Sequence, residues 1–164
     1  MLPNEQYFGG VLRLVVDAEP TPIFLVDDDV RILEYNTAAG ELLDADANTV
    51  QHPRAGEALH CLHSTDVAEG CGHGPFCQSC VIRNSVKNGI HGNQVVRCQH
   101  KMELMRQGQL LEMDTLITAL PFPYQEPYLV LLAIESASDI EGNKSRLPIS
   151  GWSQLLSPSS TTGQ

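Results

Sequence analysis

Residues 22–39 read PIFLVDDDVRILEYNTAA, which is two short apolar runs separated by three consecutive aspartates. The first run, residues 23–26, and the second, residues 30–35, have the length and composition of β-strands, and aspartates favour a turn between them. The pair therefore predicts an antiparallel β-hairpin. Asn36 follows the second strand and is a favourable N-cap for a short helix over residues 37–43.

The segments on either side of this hairpin predict two more helices and three more strands. Residues 4–18 carry a broad helical stripe of apolar side chains that ends before two prolines. Residues 81–88 also have a helical pattern, and we expect Gly89 to end that helix. The later strands are predicted over residues 94–104, 110–120 and 128–134. The Pro121-Phe122-Pro123 sequence should end the second of them, and the third is apolar on both faces and therefore central.

This order of elements predicts an α+β fold. The early hairpin must join the three late strands to bury its apolar face, giving a five-stranded antiparallel sheet with short helices on one face. We divide the chain into an N-terminal helix over residues 1–20, a domain over residues 21–140 and a tail over residues 141–164. The tail is rich in Ser, Thr, Pro and Gly, and we expect it to be flexible.

Charge and hydropathy exclude two classes of partner. Twenty acidic against ten basic residues give a net charge of −10, whereas nucleic-acid binding depends on clustered Lys and Arg. The longest apolar run is far shorter than the ~20 residues that span a membrane, and the N-terminus lacks the pattern of a secretion signal. We therefore expect a cytoplasmic protein that binds neither nucleic acid nor membrane, in a compartment that keeps thiols reduced.

Four of the five cysteines lie within twenty residues, with the spacing C-x9-C-x5-C-x2-C. In a reducing compartment such a cluster more often binds a metal or performs redox chemistry than forms disulfides. Four thiolates suit an iron–sulfur cluster or a zinc ion, and nearby glycines would let the backbone fold around either. We therefore predict a cofactor and metal site whose ligands are Cys61, Cys71, Cys77 and Cys80. The spacing does not distinguish iron–sulfur from zinc.

Other interpretations of this cluster stay open. The cysteines could act independently or form two disulfides. Cys77 and Cys80 form a C-x2-C pair at a helix start, as in thiol–disulfide oxidoreductases, but that fold needs a parallel βαβ unit, which this order of elements lacks. A zinc ion could also be purely structural, as a staple in an adaptor protein.

The fifth cysteine and several histidines have weaker claims to a function. Cys98 falls on the apolar side of its strand and is predicted to be a small buried side chain, the alternative being a thiol that faces a ligand pocket. His100 is two residues further along the same strand, so its side chain should point to the same side as that of Cys98 and lie at the edge of the core. Each of His60, His63 and His73 flanks the cluster and is a candidate to replace a cysteine as ligand, although histidines are common in exposed loops.

Residues 22–39 and the cysteine-rich residues 53–83 together resemble the PAS domain family. PAS domains typically open with a strand, an acidic turn, a second strand that ends in Tyr-Asn or Val-Asn, and a helix with an early Ala-Ala. The second segment is similar to a cysteine-bearing subgroup of bacterial PAS domains, and the resemblance extends over about residues 5–139. It implies a non-enzymatic sensor in signal transduction, which passes a change at a bound ligand or cofactor to its flanking helices.

The resemblance also bears on cofactors and partners. Haem is disfavoured, because only His91 lies in the region that a haem-binding PAS domain uses and no supporting motif accompanies it. The flavin-binding branch is disfavoured, because no Asn-Cys-Arg-Phe sequence occurs. These 164 residues leave no room for an output domain, so we expect either a stand-alone sensor with a signalling protein partner in trans or a fragment of a longer protein. We also expect a homodimer, with the N-terminal helix either forming its interface, as in many PAS proteins, or packing on the sheet of its own chain.

Overall fold

The computed structural model of the protein describes residues 5–43, 51–124 and 126–137. The described residues form a five-stranded antiparallel sheet with short helices, so the predicted α+β fold is confirmed. The predicted tail, residues 141–164, lies outside the described part of the chain. No helix within that part is long and apolar enough to cross a bilayer.

The helices and strands follow the predicted order closely. The helices are α1 (Glu5–Ala18), α2 (Thr37–Leu42), α3 (Ala55–Ala58) and α4 (Val81–Ile90). Two 3₁₀ helices, at Leu62–Thr65 and Pro75–Ser79, lie between α3 and α4. The strands are β1 (Ile23–Val26), β2 (Ile32–Tyr35), β3 (Val95–Arg106), β4 (Gln109–Phe122) and β5 (Leu129–Ser136).

The strands lie in the order β2-β1-β5-β4-β3, and every neighbouring pair is antiparallel. The predicted hairpin is present, with Phe24 opposite Tyr35, and β1 pairs on its other edge with β5. The central position of β5 explains why both of its faces are apolar. The α4 helix packs across β3, β4 and β5, and the core lies between it and the sheet. The fully buried side chains there include Phe24, Val26, Val86, Ile117 and Leu132.

Two predicted boundaries are wrong because a distant strand decides them. The α4 helix continues past Gly89 to Ile90, since a Cβ at Gly89 would lie only 2.7 Å from Cγ2 of Val130; the glycine allows close packing and does not end the helix. Pro121 lies inside β4, opposite Val130. The pairing of β3 reaches only Ala119, so beyond that point β4 has one neighbour and tolerates a proline.

The first half of β3 departs most from the expected pattern. The register shifts between Val95 and Cys98, where Arg97 has a φ of 51°, and this bulge breaks the alternation of faces. Cys98 lies opposite the buried Ile117, but β3 is an edge strand, and Cys98 is exposed. The prediction that Cys98 is buried is therefore wrong. His100 is half-buried, as predicted, and burial lowers the pKa of its ring.

The buried side chain of Asn36 fastens three elements together. Its Oδ1 accepts hydrogen bonds from the backbone N–H groups of Ile23 and Ala39, both at 2.9 Å, which confirms the predicted N-cap of α2. Its Nδ2 donates to three carbonyl oxygens at the end of α1 and just after it, those of Val16, Glu19 and Thr21. Asn36 thus ties α1 to the hairpin and to α2.

Candidate functional site

A cavity of about 260 Å³ lies between the sheet, at the inner face of β3, and the segment from α3 to α4. Its wall is mostly apolar, with Leu59, Ile82 and Leu104 among the side chains that form it. All four cysteines of the predicted cluster also line it: Cys61, Cys71, Cys77 and Cys80. The four cysteines that are close in sequence therefore lie around one cavity, whereas Cys98 is not part of its wall.

Cys61 and Cys80 are held by regular structure on two sides of the cavity. Cys61 forms an isolated antiparallel bridge with Leu104 of β3, and the neighbouring N–H of Met105 donates to the carbonyl oxygen of His60 at 2.8 Å. Cys80 is the N-cap residue of α4, which is itself packed on the sheet. The backbone positions of these two cysteines are therefore fixed by the sheet and by α4.

Cys71 is positioned by glycines. It lies between Gly70 and Gly72, which have φ angles of +83° and +94° that favour glycine. Its side chain packs directly on Gly56 of α3, where a Cβ would lie 2.5 Å from Sγ of Cys71 and 3.5 Å from Cβ of Cys61. Cys71 and Cys61 are therefore neighbours above Gly56, a position that has room for no side chain.

Cys77 is the buried member of the group and lies in the second 3₁₀ helix. Its Sγ accepts a hydrogen bond from the backbone N–H of Gly72 at 3.3 Å, which connects it to the loop that carries Cys71. Hydrogen bonds to sulfur also occur around thiolate-bound metal clusters.

Burial favours the neutral form of two of these thiols, those of Cys61 and Cys71. Burial is the main cause that raises the pKa of Cys71 to about 11, with the neighbouring cysteines adding to the rise, and burial also raises the pKa of Cys61. All four are free thiols, so the two disulfides considered from the sequence are not formed. Within residues 51–124 and the other described segments, no three His, Cys, Asp or Glu side chains are already arranged to hold a metal ion. Binding one would require the thiols to turn toward one another.

The histidines that flank the cluster differ in position. The ring of His63 lines the cavity, with Nδ1 2.8 Å from Asp66 and Nε2 3.3 Å from Glu103, and it stacks on Phe76. Both ring nitrogens of His63 therefore already face carboxylates. His73 is exposed, and neither it nor His60 belongs to the wall.

Asp29, the last of the three aspartates of the hairpin turn, belongs to an ion-pair network. Asp29 lies within ion-pair distance of three guanidinium groups, those of Arg54 at 2.8 Å, Arg83 at 3.1 Å and Arg31 at 3.3 Å. Burial acts to raise the pKa of Asp29, but the hydrogen bonds from Arg54 and Arg83 outweigh it, so the pKa lies below its usual value. Since Arg83 lines the cavity, this network connects the cavity to the hairpin, and sequence reasoning missed it.

The outward side of α1 is apolar and exposed. Five large side chains on this helix are exposed: Val11, Leu12, Leu14, Val15 and Val16. Arg13 connects the helix to the hairpin, since it donates to the carbonyl oxygen of Tyr35 at 3.0 Å. The broad apolar stripe predicted from the sequence is thus not covered by the described part of this chain.

The described fold is similar to that of PAS domains of known structure. The PAS domain of nitrogen regulation protein NR(II) from Vibrio parahaemolyticus is 13% identical, with 77% of this chain and 97% of that chain covered and a TM-score of 0.50. A PAS domain from a two-component sensor histidine kinase is 8% identical, with 81% and 99% covered and a TM-score of 0.51. The DhaR(N)–DhaL complex of E. coli is 15% identical, with 80% and 37% covered and a TM-score of 0.50.

At these identities the likeness shows the fold alone, and the fold of this chain is the PAS fold. No protein-family model and no curated protein matches the sequence. The alternative of a thiol–disulfide oxidoreductase needs a parallel βαβ unit, and the described sheet is antiparallel throughout.

Proposed function

We propose that this chain is a non-enzymatic signal-transduction module that responds to the redox or metal state of a group held by Cys61, Cys71, Cys77 and Cys80. The observation that carries the proposal is that these four thiols, which come from separate short segments, line one cavity of a PAS fold. PAS domains typically receive a signal in such an interior and pass it to flanking elements.

The four sulfur atoms that line the cavity are chemically suited to a thiolate-bound metal group, for which the thiols must turn toward one another. Four sulfur donors are the ligand set of structural zinc and of [4Fe–4S] clusters. When bound, a zinc ion would supply a link between segments, and an iron–sulfur cluster would supply a redox centre. Because the pKa of Cys71 is about 11, metal binding must displace protons from neutral thiols and should weaken as the pH falls.

The contacts of the cysteine segment support a route by which a change there is passed on. The backbone of Cys61 is bridged to β3, and Cys80 is the N-cap residue of α4, so a shift of the backbone at these cysteines would act on both elements. Arg83, in the first turn of α4, also holds Asp29 at the tip of the β1–β2 hairpin. At the other end of the hairpin, Asn36 holds the end of α1. The hairpin is therefore fastened to the cavity at its tip and to α1 at its base.

The exposed apolar side of α1 supports an output through protein contacts. Large apolar side chains such as Leu14 cost free energy when left in water, and a second copy of α1 or a partner protein would cover them. The similar DhaR(N) structure is a complex with DhaL, which supports a protein partner for a PAS fold. We propose a homodimer through α1 and a signalling partner in trans, in the cytoplasm, with neither nucleic acid nor membrane as a partner.

Anaerobic purification followed by metal analysis and an absorption spectrum tests the cofactor. We expect either a brown protein with iron and sulfide or a colourless one with stoichiometric zinc. Each of the Cys→Ser changes at positions 61, 71, 77 and 80 should reduce the metal content. Cys98→Ser is the matched control, because Cys98 is exposed and outside the cavity, and it should retain the metal in full. A wild-type protein that contains no metal and takes up neither zinc nor iron would contradict the proposal.

The same preparation separates a sensor from a structural staple. In a sensor, oxidation of the bound group or its removal should change the binding of a partner or of a second copy while the domain stays folded, as measured by sedimentation and circular dichroism. If removal of the metal unfolds the domain and redox state has no effect on association, the site is a zinc staple.

A further inference from the structure

Arg83 leaves one buried donor unused. Its Nη2 donates to Oδ1 of Asp29 at 3.1 Å, but its Nη1 is buried and has no hydrogen-bond partner among the described residues. A buried N–H of a charged group that makes no hydrogen bond is costly, so such a group points to a missing acceptor. Arg83 belongs to the wall of the cysteine-lined cavity, which is where an acceptor could enter.

The guanidinium is pressed against the loop that carries the cysteines. A Cβ on Gly72 would lie 2.0 Å from Nη1 of Arg83, so the guanidinium lies directly against the Cα of this glycine. The N–H of Gly72 in turn points at Sγ of Cys77. Arg83 also follows Cys80 by three residues at the start of α4. Nη1 is therefore buried beside the segment that joins Cys71 to Cys77.

The charges on this side of the cavity are unbalanced. The carboxylate of Asp29 is shared by the guanidinium groups of Arg31, Arg54 and Arg83, and Arg54 has a second ion pair, with Glu57 at 3.5 Å. Two carboxylates therefore face three guanidinium groups. By contrast, four thiolates on a zinc ion or on an oxidised [4Fe–4S] cluster leave about two negative charges uncompensated. A bound group of this kind would supply both the acceptor and the charge that Arg83 lacks.

We propose that Arg83 donates through Nη1 to a thiolate sulfur of the metal group held by the four cysteines and offsets its negative charge. Arg83 is then a positioning residue of the site, and it connects the charge of the bound group to Asp29 and the hairpin. This inference rests on the proposed function, because it requires the cysteines to hold a metal.

The test compares Zn²⁺ binding by the full-length chain and its variants, reduced and freed of metal, in competition with a chromophoric chelator at fixed pH. Arg83→Met removes the charge and the donor, and we expect it to weaken Zn²⁺ binding about 10–100-fold, as loss of a contact to a ligating atom does. Arg83→Lys keeps the charge, and it should stay within about tenfold of the wild type. Arg31→Met is the matched control, since Arg31 shares Asp29 but lies outside the cavity wall, and it should bind Zn²⁺ as the wild type does.

Each outcome supports or overturns the inference. If Arg83→Met binds Zn²⁺ as tightly as the wild type, or if Arg31→Met weakens binding as much, Arg83 acts only through the ion-pair network and the inference fails alone. If the wild type binds no Zn²⁺, the proposed function fails and takes this inference with it. Should Arg83→Met not fold, Arg83→Gln, which keeps an amide donor for Asp29 but loses the charge, takes its place in the comparison.

Discussion

Replacing Gly56 by alanine tests the central packing feature of the cavity, the seating of Cys71 on α3. A Cβ there would lie 2.5 Å from Sγ and 3.0 Å from Cβ of Cys71, whereas an ordinary contact begins at 3.4 Å. The sulfur must therefore move by roughly 1 Å, and the loop that carries it must follow. Gly56→Ala should thus disturb one of the four thiols without changing any of them chemically.

The expected magnitude follows from two opposing effects. Overpacking a tight contact costs about 1–3 kcal/mol. Alanine is favoured over glycine inside a helix by up to ~1 kcal/mol, although α3 is only four residues long and should gain less. We therefore expect Gly56→Ala to lower the free energy of unfolding by about 1–2 kcal/mol, measured by urea unfolding with reductant and chelator present.

Gly74→Ala is the control within the same segment. Its φ is −74°, and a Cβ there would meet Asp66 at 3.5 Å and Cys77 at 3.7 Å, which are ordinary contacts. Its free energy of unfolding should stay within about 0.5 kcal/mol of the wild type. Alkylation followed by mass spectrometry should show faster modification of Cys71 in Gly56→Ala only. If the two alanine variants match in stability and in the reactivity of Cys71, then Cys71 is not seated on Gly56.

Three further predictions concern other contacts. Asn36→Ala should lower the free energy of unfolding by about 3–5 kcal/mol, because it leaves several backbone groups at the end of α1 and the start of β1 unpaired; a loss under about 1 kcal/mol in urea unfolding would contradict this. Gly89→Ala should destabilise the protein by about 1–3 kcal/mol through its clash with Val130, whereas Gly10→Ala, with open space around it, should stabilise it by up to ~1 kcal/mol. Changes of equal sign in the two alanine variants would refute the close approach of α4 to β5. In metal-free protein at pH 8, the exposed Cys98 should alkylate faster than Cys71, whose pKa of about 11 keeps it neutral. The raised pKa means that the neutral thiol of Cys71 contributes stability below its unfolded value near 9, and this contribution should be lost as the pH rises toward 11. Equal rates for the two thiols at pH 8 would argue against that shift.

The elements of this fold could be predicted because each is encoded by neighbouring residues. The hairpin needs two short apolar runs and an acidic turn, and α2 needs Asn36 as a cap; both are present in the sequence as contiguous patterns. The predicted boundaries were wrong where contact with a distant segment determines the local structure. Glycine is typical of the residue just after a helix, but the contact of Gly89 with Val130 of β5 keeps it inside the helix.

Cys98 shows what the alternation of side chains along a strand can predict and what it cannot. The alternation of side chains along the strand correctly placed Cys98 on the side of the sheet that carries Ile117, its partner in β4. Burial, however, depends on what covers that side, and Cys98 lies near the start of an edge strand, whereas Met102 and Leu104, further along, are buried. A pattern along one strand gives the face of a residue, while the strand order and the helix above it give the depth.

Some features of the candidate site could likewise be predicted from the sequence, and others could not. The spacing of the cysteines was enough to predict that they lie near one another, and all four line one cavity; that they act together stays a prediction. The role of Arg83 could not be predicted, although its place three residues after Cys80 put it on the correct helix face. An arginine near an interior must find a carboxylate, but with twenty acidic residues in the chain the sequence offers no reason to choose Asp29. That choice is made only when the hairpin turn and the start of α4 meet, and this is why the charge balance of the cavity is a property of the fold and not of the cysteine motif.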